Sequence, residues 1–87
     1  MAQGMDLTID SLKDELNDIK LKISLCRKKG MDTKIAELKV MAIPSKIKLL
    51  EITKDYKDVQ KVNNMINDAK IEIESLEMQN PEEKGKN

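Results

Sequence analysis

The 87-residue sequence contains no histidine. That removes the side chain most often used to move protons near neutral pH, most zinc sites and every histidine-based nucleophile triad. Cys26 is the only thiol. As a nucleophile it would need a partner base and an accessible, electropositive site. Lys22 and Arg27 are close in sequence, but Cys26 falls on the apolar seam of a helix, where a free thiol packs as a small hydrophobe. A lone cysteine also excludes an intramolecular disulfide framework, and a reducing, cytoplasmic setting is the expectation.

The acidic pairs Asp14–Glu15, Glu72–Glu74 and Glu82–Glu83 have the chemistry of cation ligands or acid/base carboxylates. Residues one or two apart do not face each other on a helix, so the pairs read as solvated surface. No glycine-bearing loop with alternating acids resembles a calcium loop, and no phosphate-binding loop, dinucleotide fingerprint or GxSxG elbow occurs. The sequence therefore predicts no cofactor, no metal and no enzyme activity.

Two kinds of binding residue remain. The first is a basic run: Lys20, Lys22, Arg27, Lys28, Lys29 and Lys34. It offers weak nucleic-acid binding as the alternative function. It contains one arginine and no aromatic side chain for stacking, in a chain of zero net charge. A basic helix end complementing the helix dipole explains it more simply. The second is apolar: Leu21 and Leu25, four apart and off the helix seam, with Met65 and Ile71 off the main stripe of the last helix. Each is either scattered exposure at the edge of a wide core face or a contact patch for another protein or a second copy. Asn63, Asn64 and Asn67 cluster near the same stripe. They are expected at the surface, with Asn63 the one candidate for a buried polar position that fixes register.

Helices must position all of these. The chain is 39% apolar and 37% charged, with a single aromatic residue, Tyr56. That composition, with few Gly and Pro, fits a small helical bundle or coiled coil. Zero net charge and strong periodicity argue against disorder. Met5, Ile9, Leu12, Leu16, Ile19, Ile23 and Cys26 recur at alternating four- and three-residue spacing, an a/d seam. Acids precede bases along this segment, as the helix dipole favours. Asp6 or Thr8 is the expected cap, and Gly30 supplies a left-handed stop.

Residues 35–52 are the densest apolar stretch and are predicted to be the central element. Ile35, Leu38 and Ala42 line one side; Val40, Ile43, Ile47 and Leu50 line another. A helix apolar around so much of its girth is expected to be covered on more than one side. Pro44 kinks or breaks it. Asp32 or Thr33 caps its start, and Thr53 or Asp55 caps the next helix. The last stripe runs from Val59 through Ile66 and Ala69 to Ile73 and Leu76 and stops before Pro81.

The predicted fold is all-α: a single domain over residues 1–80, a three-helix bundle or hairpin with antiparallel, coiled-coil-like packing. Its helices fall near 6–29, 31–52 and 55–79, followed by a flexible polar tail at 81–87. Residues 1–5 carry no pattern and are expected to fray. The alternative is a short second helix, 31–43, and one long helix over 45–79, more than about 50 Å in length. No secretory signal, myristoylation glycine, prenylation box or membrane-spanning run is visible. The expectation is a non-catalytic, cytoplasmic interaction protein whose partner is another protein or itself, with no membrane role.

Overall fold

The computed structural model describes residues 2–79, and all its regular elements are helices: α1 (Ala2–Lys28), α2 (Lys34–Met41), α3 (Ile43–Thr53) and α4 (Tyr56–Met78). The α2–α3 segment forms one limb, so three helical limbs pack against each other. The proposed tail at 81–87 lies outside the described residues.

The α1 seam is buried along its length. Met5, Ile9, Leu12, Leu16, Ile19, Ile23 and Cys26 are each at most 6% exposed. The helix begins at Ala2, which corrects the expected start near residue 6. Thr8 does not cap it: its hydroxyl donates to the Gly4 carbonyl one turn back. At the other end Gly30 takes φ +85°. There the Met31 N–H donates to the Cys26 carbonyl (3.1 Å) and the Gly30 N–H to that of Arg27 (2.9 Å). This Schellman pattern satisfies carbonyls that a helix end otherwise orphans. Met31, expected to open the second helix, instead closes the first and packs half-buried on the core.

The second limb starts at Lys34. Asp32 Oδ1 accepts the Lys34 N–H at 3.1 Å, the Thr33 carbonyl accepts the Glu37 N–H at 2.8 Å, and the buried Thr33 hydroxyl donates to the Glu37 carboxylate. The expected helix over 31–52 is thus two pieces. α2 ends at Met41, Ala42 stands between, and Pro44 lies in the first turn of α3. Proline has no N–H, so the Val40 carbonyl lacks its usual donor. Ala42 keeps right-handed helical angles (φ −80°, ψ −15°). Ala36, Val40, Ile43, Ile47 and Leu50 form a single inward row across the interruption.

The 45–79 long-helix alternative is overturned. α3 ends at Lys54, a non-glycine residue in the left-handed region (φ 54°). Asp55 then caps α4, its carboxylate accepting the Lys57 N–H at 2.9 Å. Thr53 Oγ1 bonds Asp58 at 2.6 Å across the turn. Beyond it, Val59, Val62, Ile66, Ala69 and Ile73 face inward.

Ion pairs record how the limbs lie. Asp6 meets Lys54 (2.8 Å), Lys13 meets Glu51 (2.8 Å) and Arg27 meets Glu37, so residue numbers rise along α1 as they fall along α2–α3. Glu15 meets Lys70 (2.7 Å), and Lys39 meets Asp68 (3.2 Å) and Glu72 (3.7 Å). The acids of α4 at Asp68 and Glu72 therefore pair with α2 rather than with the basic end of α1. All these groups are partly exposed, so they specify neighbours more than they stabilise them.

Candidate functional site

The four apolar candidates do not form one patch. Leu21 and Leu25 stand on the outer face of α1, 64% and 56% exposed. Ile71, 64% exposed, stands on α4. Met65 packs half-buried against the core, as a core face wider than a strict seam requires. Met65 and Ile71 border a shallow depression with Asn64, Asn67 and Asp68. Asn63, Asn64 and Asn67 are all exposed.

A larger apolar surface lies on the second limb. Ile35, Leu38, Met41, Leu49 and Ile52 are 43–80% exposed, and helical spacing sets them opposite the inward row. The central segment was expected to be covered on more than one side; in the structure it is covered on one. Tyr56, at the start of α4, is 69% exposed. Both rows are visible in the sequence, but not which of them faces the core.

The basic residues are distributed around α1. Lys20 and Arg27 border a cleft of about 310 Å³ between α1 and α2, floored by Ile23, Val40 and Met41. Lys22 lies on the opposite flank beside Lys70, Glu74 and Glu77 of α4. Lys28 and Lys29 are exposed at the end of α1, and Lys34 opens α2.

Little in the α1–α2 cleft equips it for proton transfer. Its carboxylate, Glu37, is held below the usual carboxylate range, first by the Thr33 hydroxyl and then by Arg27. A carboxylate so stabilised is a weak base at neutral pH. Cys26 is 3% exposed, and burial, then the nearby Glu77 charge, push its thiol upward against the smaller opposing effect of Lys29. That makes the thiolate scarce. Among the described residues no group of three or more Cys, Asp or Glu is placed to hold a metal ion, and no helix is long and apolar enough to cross a membrane.

No protein-family profile, no curated protein and no solved structure matches the chain.

Proposed function

We propose that the chain is a non-catalytic protein–protein interaction module, a small cytoplasmic adaptor, regulator or assembly subunit that works through helix–helix contacts. The observation that carries this reading is the row of large apolar side chains on the outer face of α2–α3; Leu21 and Leu25 are exposed on the separate outer face of α1. A stripe of this kind is what helix-in-groove and helix-on-helix recognition use, with anchors three and four residues apart. Within this reading the limbs pack as an antiparallel, coiled-coil-like bundle, and the bend at Pro44 lets one limb follow the other two while presenting its second face outward.

The test is partner capture with surface variants that remain helical. Leu21→Asp/Leu25→Asp addresses the α1 face and Leu38→Asp/Ile52→Asp the α2–α3 face. The reading expects at least one pair to abolish binding while circular dichroism is unchanged. Full retention of binding by both would sink it.

A further inference from the structure

We propose that the outer face of α2–α3 is occupied by the outer face of α1 from a second copy of this chain. This rests on the interaction-module reading and names the partner for its apolar row.

On α2–α3 the acids Glu37 and Glu51 turn toward α1 and pair with Arg27 and Lys13. The outer face is left with Lys34, Lys46 and Lys48, all exposed, beside the apolar row. Its character is apolar and basic.

Over residues 7–18 the outer face of α1 has the opposite sign, while Lys28 and Lys29 stand exposed at its C-terminal end. Leu7 is 70% exposed and, at 100° per residue, shares a face with Leu21 and Leu25. Between these leucines the same face carries Asp10, Asp14 and Asp18, all exposed. Lys13 is turned aside by its pair with Glu51. Asp68 is engaged by Lys39 of α2, and the outer face of α4 carries Lys57 and Lys61. Its exposed large apolar residues are Ile71 and Met78 near its C-terminal end, with Tyr56 at its start.

Length and register agree as well. Leu7 and Leu25 are about 27 Å apart along α1, and Ile35 and Ile52 about 25 Å along the second limb, at 1.5 Å per residue. Set antiparallel, which also opposes the two helix dipoles favourably, Leu25 falls opposite Ile35 and Leu21 opposite Leu38. Asp14 falls opposite Lys46, and Leu7 opposite Ile52. Two α2–α3 faces paired about a two-fold near Ile47 would bring the lysines at 46 and 48 of the two copies together. Juxtaposed like charges select against wrong partners.

Each molecule carries one face of each kind, so the contact is heterologous. It leads to rings or open chains instead of ending at two copies. One helix laid on one helix is a narrow contact, below the roughly 800 Å² per partner of stable complexes, so association is weak and concentration-dependent.

The experiment is sedimentation velocity on the full chain from micromolar to millimolar concentration, with two charge-reversed variants. Lys46→Asp/Lys48→Asp has two acidic faces, and Asp14→Lys/Asp18→Lys has two basic ones. Wild type is expected to climb beyond twice the monomer mass. Each variant alone is expected to need at least about tenfold higher concentration, and an equimolar mixture of the two to recover assembly. A wild type that stays monomeric, that stops at the dimer, or whose variants assemble alone as it does overturns the proposal. Circular dichroism checks the fold. If a reversal costs helix, Lys46→Gln/Lys48→Gln and Asp14→Asn/Asp18→Asn replace it, each expected to weaken assembly, and wild-type assembly in both overturns the proposal equally. A monomeric wild type that still loses a captured partner on Leu38→Asp/Ile52→Asp would remove this proposal and leave the broader reading standing.

Discussion

Leu50 and Ile52 sit two residues apart on one helix and should answer the same truncation in opposite ways. Leu50 is fully buried, 0% exposed, and Ile52 is 80% exposed. Leu50→Ala removes most of a core side chain and leaves a cavity, at a cost of about 2–5 kcal/mol. A domain of this size has a total stability of roughly 4–13 kcal/mol, so the loss is a large share of it. For Ile52 the burial term is one-fifth of a full side chain, about 0.3–0.6 kcal/mol. The better helix propensity of alanine returns a few tenths of a kcal/mol, so Ile52→Ala should lie within about 0.5 kcal/mol of wild type. Urea unfolding followed by far-UV circular dichroism at low protein concentration measures both. With a slope of about 1–1.5 kcal/mol per molar, Leu50→Ala should lower the midpoint by more than about 1.3 M and Ile52→Ala by less than about 0.5 M, at unchanged slope. Equal losses would refute the reasoning, because they would mean that Ile52 is buried within the single molecule.

Other outcomes follow from the local geometry. Gly30→Ala places a Cβ at φ +85° and should cost about 1–2 kcal/mol, whereas Lys54→Gly relieves the left-handed strain at the opposite turn and should gain up to about 1 kcal/mol after loss of the exposed Asp6 pair, both read from urea midpoints. Glu37 and Glu51 are held below their ordinary range by hydrogen bonds from Thr33 and Lys13 respectively. Their stabilisation is therefore present above the unfolded carboxylate value and fades as the pH falls through the lower folded value, so a Glu37→Gln/Glu51→Gln variant should show a flatter stability profile below about pH 4.3. The Cys26 thiol, buried and shifted upward, should react with a disulfide reagent only through opening of the bundle, at a rate that rises with urea; rapid labelling in native buffer would contradict its placement.

The parts of this fold that were legible in the sequence are those specified by one uninterrupted signal. The α1 seam from Met5 to Cys26 and the inward row of α4 follow directly from apolar spacing, and Gly30 and Asp55 are residue types whose chemistry suits a stop and a cap. Two features were hidden for physical reasons. The turn at Lys54 adopts a left-handed backbone that lysine does not advertise, and an apolar stripe from Leu49 through Tyr56 to Val59 runs across it as if one helix continued. The rotation of the central limb was hidden because both its rows are apolar, and only packing against α1 and α4 decides which turns inward. The candidate surface shared that ambiguity. Leu21, Leu25 and Ile71 were recognisable as off-seam residues, whereas the row from Ile35 to Ile52 looked like core.

The interruption at Ala42 leaves α2 with 8 residues and α3 with 11. Isolated helices shorter than about 12–15 residues are marginal in water. Neither piece would stay helical apart from α1 and α4, so the outer row of the second limb exists as a surface only while the bundle is closed. Anything that binds this row binds the folded chain and not the unfolded one. Occupancy must then raise the unfolding free energy by RT ln(1 + [L]/Kd), whatever the ligand. The melting temperature of the chain is in that sense a meter for its own partner, and its dependence on concentration would report binding without any label.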